Sequence, residues 1–221
     1  MLFVWIVLFS FVFSLRKFPI PHGITALAVF IYGFCLVFWC IRHEHIYSFG
    51  FRRLHAVSRK SFLHLAVMLI LPLWQILCYG FPQVSLEETL ILLIAVLAEE
   101  IFFRGFLLQF LRRKTPKYAV LLSALLFALL HSVNLFSGYA VMYVIVQILL
   151  AFICGIYWGL LRIRYHSLFP CIFAHGIINL VSTTSSHWDL WQFLPGLLSS
   201  CLITLTICIP LHKRLFIGGN S

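Results

Sequence analysis

Six polar side chains lie within otherwise apolar stretches of this 221-residue chain and carry groups suited to acid–base chemistry. They are Glu99, Glu100, Arg104, His131, His175 and Asn179. A carboxylate and a histidine in a water-accessible cavity can deprotonate a water for attack on an amide carbonyl. A second histidine and an asparagine amide can donate hydrogen bonds to the oxyanion that forms. These residue types therefore suit hydrolysis of a peptide bond.

The spacing of the two glutamates predicts different partners for them. Glu100 and Arg104 stand four residues apart with the acid first, the arrangement that closes an ion pair on one face of a helix. On such a helix Glu99 is rotated about 100° away from Glu100. The residues three and four positions after Glu99 are Phe102 and Phe103, so no nearby cation balances it. We therefore expect Glu99 to find its partners on another helix.

The composition is that of a membrane protein. Hydrophobic residues make up 62% of the chain and charged residues 10%, and the mean hydropathy is +1.04. These values exclude a soluble globular domain and predict a polytopic, all-α transmembrane bundle, with one domain over residues 1–221. The formal net charge of +10 is explained by basic loops beside the membrane rather than by nucleic-acid binding. The seven cysteines form no CxxC pair and are interpreted as small hydrophobic residues.

Charge clusters, prolines and glycines divide the apolar sequence into eight predicted spans. Their ranges are 2–15, 23–41, 62–80, 86–111, 118–135, 139–161, 167–185 and 190–211. With the N-terminus in the cytoplasm, thirteen basic residues fall in inside loops, among them Arg162 and Arg164, which favours cytoplasmic N- and C-termini. Glu87 and Glu88 then fall outside. The aromatic and basic segment 46–62 fits either an interfacial helix or an ordinary loop.

The depth of the polar residues allows them to meet in one layer of the membrane. At about 1.5 Å per residue from the predicted cytoplasmic ends, Glu99 lies roughly 18 Å deep, His131 roughly 20 Å, His175 roughly 12 Å and Asn179 roughly 18 Å. Single polar residues at such depth also serve as interhelical hydrogen-bond partners, and buried acids also mark ion pathways in transporters. A non-hydrolytic transporter or bacteriocin-immunity scaffold is therefore the alternative, although the sequence lacks the repeated halves typical of transporters.

Three short motifs resemble those of the CAAX prenyl protease and bacteriocin-processing family of intramembrane proteases, called CPBP or Abi. "EEIFFR" at 99–104 resembles the family's EExxxR, "FALLH" at 127–131 its FxxxH, and "HGIIN" at 175–179 its HxxxN/D. The resemblance implies a helical bundle with a catalytic chamber in the membrane and a motif core over 86–185. It implies Glu99 as the catalytic glutamate with His131 as its partner in activating water. Oxyanion stabilisation then falls to His175 and Asn179, with Glu100 and Arg104 supporting the site.

The same resemblance implies a substrate class and leaves open whether the mechanism uses a metal ion. The substrate is a small membrane-associated or lipid-modified peptide, and a compact chain such as this one resembles the bacterial branch, placed in the plasma membrane and associated with bacteriocin processing. Zinc could bind Glu99, His131 and His175, but no helix carries HExxH and His175 with Asn179 suits hydrogen bonding. We therefore expect no catalytic metal.

Two further patterns concern helix packing. "GIYWG" places Gly155 and Gly159 four residues apart, which is typical of close helix contacts and predicts packing within the chain rather than a dimer interface. The tryptophans near predicted span ends are interpreted as interfacial anchors without a catalytic role. They are Trp39, Trp74, Trp158, Trp188 and Trp191.

Overall fold

The computed structural model describes residues 50–51, 69–81, 83–137 and 139–182, together with scattered positions between 28 and 42. Every regular element within these residues is helical and none is a strand, in agreement with the all-α prediction. The α-helices are α1 (Ile70–Tyr79), α2 (Leu86–Glu100), α3 (Leu108–Lys114), α4 (Ala119–Leu130), α5 (Val141–Tyr165) and α6 (Phe169–Ser182). A π helix, Ile101–Leu107, joins α2 to α3, and the 3₁₀ helices Pro116–Tyr118 and His131–Ser137 flank α4.

Two helical runs in the described part of the chain are long and apolar enough to cross a membrane. They are Pro116–Leu135 and Val141–Tyr165, and α6 is a shorter apolar helix. The count of eight spans is not established, because the predicted spans 2–15 and 190–211 lie outside the described residues and 23–41 and 62–80 are covered only in part. The segment 46–62 also lies outside them, apart from residues 50 and 51.

A capping box fixes the start of α2, the helix that leads to the two glutamates. The Ser85 hydroxyl accepts a hydrogen bond from the Glu88 backbone N–H at 3.2 Å, and the Glu88 carboxylate accepts one from the Ser85 N–H at 2.9 Å. Glu87 and Glu88 thus occupy the first turn of α2, where acidic groups interact favourably with the helix dipole.

Glycines let α4 and α5 approach closely. A Cβ atom built on Gly155 would lie 3.0 Å from the Cβ of Ala124, and one on Gly159 would lie 3.1 Å from Val120 Cγ1. The prediction that "GIYWG" serves packing within the chain is therefore confirmed. Helix α6 packs against α1 and α2. The core at the centre consists mainly of side chains from the π helix, α4, α5 and α6.

Arg162 and Arg164 both lie within α5 and not in a loop, so that prediction is wrong for both residues. Helix α5 continues to Tyr165, past the predicted end at residue 161, and its C-cap His166 adopts the left-handed conformation with φ 53°. Within α5 the Arg162 side chain is only 2% exposed. Gly50 packs directly on its guanidinium, and the Gly50 carbonyl accepts a hydrogen bond from the Leu168 N–H at 2.8 Å. A charged residue was taken as a span boundary, whereas here burial keeps it inside the helix.

The close contact between α4 and α5 predicts the effect of adding one methyl group. Gly155→Ala forces Ala124 aside, while Gly176→Ala meets Leu93 at an ordinary 3.4 Å. Both substitutions gain the same intrinsic helix propensity, so their difference isolates the helix contact. We expect Gly155→Ala to be less stable than Gly176→Ala by about 1–3 kcal/mol of unfolding free energy in detergent micelles. Equal stabilities would show that the two helices can separate without cost.

Candidate active site

The π helix begins immediately after the glutamate pair and shapes the site. The backbone N–H of Leu108 bonds to the Phe103 carbonyl five residues earlier, and the Ser123 hydroxyl of α4 donates to the same carbonyl at 3.0 Å. A π turn is wider than an α turn, and such turns are frequent at functional sites. All of its residues except Phe106 are buried, including Arg104. The segment therefore holds an arginine in the core of the bundle.

Glu100 is the centre of the cluster and is fully buried. Its Oε1 atom lies 3.1 Å from Arg104 Nη1 and 2.8 Å from His175 Nδ1. The arginine contact is an ion pair at close range without the alignment of a hydrogen bond. The histidine contact is a hydrogen bond, with Nδ1–H donating to the carboxylate. One oxygen atom thus joins the π helix to α6.

Glu99 lies on the other side of the same histidine. Its Oε2 atom is 3.6 Å from His175 Nε2, and the Asn179 side chain donates from Nδ2 to that nitrogen at 3.1 Å. The Glu99 side chain is 13% exposed, compared with 0% for Glu100. Glu99 therefore lies next to a residue of another helix, as predicted, and it is the more exposed of the two carboxylates.

His131 begins the 3₁₀ helix that follows α4 and joins the cluster through an aromatic ring. Its Nδ1–H donates to the Phe127 carbonyl at 3.1 Å. Because Nδ1 carries the proton in this bond, the lone pair of the neutral ring lies on Nε2. The Phe127 ring contacts both histidines edge-on, with centroids 5.1 Å from His131 and 5.7 Å from His175. A half-buried imidazole with an unprotonated Nε2 is suited to accept a hydrogen bond from water.

Aromatic faces surround the buried guanidinium of Arg104. Its Cζ atom lies 4.0 Å from the centre of the Phe127 ring, 5.3 Å from that of Trp158 and 5.9 Å from that of Phe103. No hydrogen-bond partner of Nη1 or Nη2 is found within the part of the chain that the structure describes. Cation–π attraction, which strengthens when water is excluded, therefore holds this charge in place.

Trp158 is part of this cluster, so its interpretation as an interfacial anchor is wrong. The indole is 3% exposed and stacks on the His175 ring at 4.8 Å between centroids, with an interplanar angle of 28°. Its backbone carbonyl also accepts a hydrogen bond from the Cys171 thiol at 3.3 Å. The glycines on either side of it, Gly155 and Gly159, allow α5 to bring a large ring this close to α4.

The structure brings five of the six predicted polar residues into direct contact with one another and links the sixth, His131, through Phe127. The sequence analysis did not place Phe127, Ser123 or Trp158 in the site. Phe127 carried a signal as the first residue of the FxxxH motif. For Trp158 the signal was the pair of nearby glycines, Gly155 and Gly159, which indicate that this part of the helix contacts another helix closely.

The side chains do not fit a three-ligand zinc site. Within the described residues no three His, Cys, Asp or Glu side chains converge as a metal ion requires. Both ring nitrogens of His175 form hydrogen bonds, Nδ1 with Glu100 and Nε2 with Asn179. The Nδ1 atom of His131 is hydrogen-bonded to the Phe127 carbonyl. A zinc ion at Glu99, His131 and His175 would have to displace the Asn179 amide from His175.

These features define a class of protein, an all-helical membrane protein with a buried cluster of glutamates and histidines. A family model described as Type II CAAX prenyl endopeptidase Rce1-like matches residues 69–181, just over half of the 221 residues and a range that contains all three motifs. No curated protein and no solved structure matches the chain. The chain belongs to the Type II CAAX prenyl endopeptidase Rce1-like family, and the resemblance inferred from the motifs is confirmed.

The buried ion pair predicts an asymmetric response to mutation. Arg104→Met leaves the Glu100 carboxylate buried without its cation, which should lower the unfolding free energy by roughly 3–5 kcal/mol. Adding Glu100→Gln removes the stranded charge, so the double variant should be more stable than Arg104→Met alone. Denaturant titration in detergent micelles measures both. Arg164→Met, at an exposed position of α5, is the control and should change stability by less than about 0.5 kcal/mol. A double variant no more stable than Arg104→Met would contradict the pairing.

Proposed function

We propose that this protein is an intramembrane endopeptidase that hydrolyses a peptide bond in a small membrane-associated or lipid-modified peptide. The family supplies the reaction class. The observation that carries the proposal is the unequal burial of two adjacent glutamates around His175, of which Glu100 is fully buried against Arg104 and Glu99 is 13% exposed. A purely structural ion pair would need only the buried glutamate, Glu100.

Glu99 and His131 are proposed to activate the water. Glu99 removes a proton from the water while His131 Nε2 accepts a hydrogen bond from it, and the water oxygen attacks the carbonyl carbon of the scissile amide. The amide C–N bond then breaks, and the proton held by Glu99 passes to the leaving nitrogen. The hydroxyl proton of the new carboxyl group also passes to the amine, so the products are a carboxylate and an ammonium group, and no external reactant besides water is consumed.

Asn179 and His175 are proposed to stabilise the oxyanion. Asn179 is half-buried, and its amide has two N–H donors. One of them points to His175 Nε2. The second N–H can donate to the tetrahedral oxygen. His175 Nε2 can donate to that oxygen as well once it is protonated, which requires the Asn179 N–H to release this nitrogen. Glu100 and Arg104 support the site by fixing the His175 ring through Nδ1.

The family and the apolar helices around the site support the proposed substrate class. The family name specifies CAAX prenyl peptides, and a chamber inside a membrane is reached most easily by a peptide that carries a lipid or lies in the bilayer. We propose that substrates are drawn from such peptides, with processing of a bacteriocin or a related peptide in a bacterial plasma membrane as the specific setting. The lipid bilayer is the other partner, and nucleic acid is not one.

The roles of the two glutamates predict distinct variants. In purified protein, Glu99→Gln should lower cleavage of a panel of prenylated and unmodified membrane peptides by at least about 100-fold, because the general base is lost. Glu87→Gln, which changes an exposed acid in the first turn of α2, is the matched control and should cleave like the wild type. Cleavage that survives Glu99→Gln would overturn the assignment. Binding of a peptide without cleavage by the wild type would instead favour a transporter or immunity scaffold.

The proposed reaction needs no catalytic metal, because a glutamate and a histidine suffice to activate water. We expect the wild type to keep its cleavage rate after dialysis against a chelator, and added zinc to leave the rate unchanged. A loss of activity that zinc restores would show that Glu99, His131 and His175 rearrange into a metal site. Glu99→Asp helps to separate a general base from a zinc ligand. If Glu99 is the general base, the shortened side chain loses cleavage whether or not zinc is present.

A further inference from the structure

Two uncharged polar residues form a hydrogen bond beside the candidate site. The Asn134 side chain donates from Nδ2 to Gln147 Oε1 at 2.6 Å, and both residues are half-buried. Asn134 belongs to the 3₁₀ helix His131–Ser137, while Gln147 lies in the second turn of α5. Neither belongs to the three motifs, and the contact ties the segment that carries His131 to a long, well-packed helix.

The geometry of a 3₁₀ helix connects this bond to His131. With three residues per turn, side chains at i and i+3 lie directly above one another, so Asn134 projects from the same face as His131, one turn away. The 3₁₀ form has poorer hydrogen-bond geometry than the α form and is stable only in short pieces. A seven-residue 3₁₀ segment therefore depends on outside contacts to keep its shape.

The His131 ring is held by its own chain through Nδ1. The Nδ1 bond to the Phe127 carbonyl sets the tautomer, and the Phe127 ring packs against one edge of the imidazole. The direction of Nε2 then depends on where the first turn of the 3₁₀ helix lies. Asn134 and Gln147 anchor the next turn of that helix to α5, which also supplies Trp158 to the site.

We propose that Asn134 and Gln147 form an amide clasp that positions His131 toward the reacting water. The proposal rests on the role given to His131 above, and the two amides are positioning residues that need not touch the substrate. An amide pair suits this task, because in an apolar setting each group gains a partner without adding a charge that would disturb the glutamates. A small displacement of a catalytic group is enough to slow a reaction strongly.

The test compares four variants of the purified, detergent-solubilised protein. Asn134→Leu and Gln147→Leu each remove one half of the clasp with little change in shape, the double variant removes both, and Asn134→Gln with Gln147→Asn exchanges the two amides. Gln109→Leu, in α3, is the matched control, since it removes a half-buried amide that contacts Arg112 away from the 3₁₀ segment. Thermal unfolding shows which variants are folded.

We expect each single variant to lower kcat about three- to tenfold, the effect of losing one interhelical hydrogen bond in a membrane protein, with KM unchanged. The double variant should be no slower than the slower single variant, because the two residues act as a unit. The exchanged pair should recover most of kcat, and Gln109→Leu should behave like the wild type. A kcat unchanged in both single variants, or independent losses that multiply in the double variant, would overturn the clasp.

A second measurement does not depend on cleavage. The rate at which diethyl pyrocarbonate modifies His131, followed by mass spectrometry of its peptide, reports how the ring is held. Asn134→Leu should change this rate at least about threefold, the exchanged pair should restore it and Gln109→Leu should leave it alone. If the wild type cleaves no peptide, the proposed function fails and this rate alone decides the clasp. A rate equal to the wild type in Asn134→Leu would overturn it.

Discussion

The site depends on one oxygen atom, Glu100 Oε1, which Arg104 and His175 approach to 3.1 Å and 2.8 Å. A carboxylate that is fully buried in an apolar bundle is expensive, and only a cation and a hydrogen-bond donor at this distance can offset its desolvation. Because Arg104 lies on the π helix and His175 on α6, satisfying that oxygen determines how the two segments dock. The aromatic rings of α4 and α5 pack around the arginine, so five segments of the bundle, including α2 with Glu100, contribute to stabilising this one buried carboxylate.

The same arrangement divides the work between two glutamates that are neighbours in sequence. Glu100 contacts Arg104 and His175 and is fully buried, whereas Glu99 lies 3.6 Å from Nε2 on the far side of His175 and its side chain is 13% exposed. His175 stands between them, and its ring is held by Glu100, Asn179 and the face of Trp158. Contacts on three sides fix the orientation of the His175 ring, and fixed orientation is a condition for effective electrostatic stabilisation in the reaction proposed above.

The sequence was sufficient for the features that depend on spacing and on the cost of burying charge. The four-residue step from Glu100 to Arg104, the need of Glu99 for a partner on another helix and the packing glycines of α5 could all be predicted from it. Features that depend on three-dimensional packing could not. Nothing in "IFFRGFL" distinguishes a π helix from an α helix, because its extra carbonyl contact comes from Ser123 on another segment. Arg162 and Trp158 were misplaced for a related reason: residues typical of membrane borders are here buried by neighbours distant in sequence.

The aromatic enclosure of Arg104 has a consequence for the surroundings in which the protein can work. Dissolved ions weaken attraction between charges that face water, but they scarcely affect groups from which solvent is excluded. With Arg104 1% exposed and Glu100 wholly covered, the field at His175 is generated almost entirely by the protein itself. Neither the ionic strength of the adjacent solution nor the surface potential of anionic lipids should alter it appreciably. The electrostatic environment of the site should therefore be nearly the same in membranes of different lipid composition.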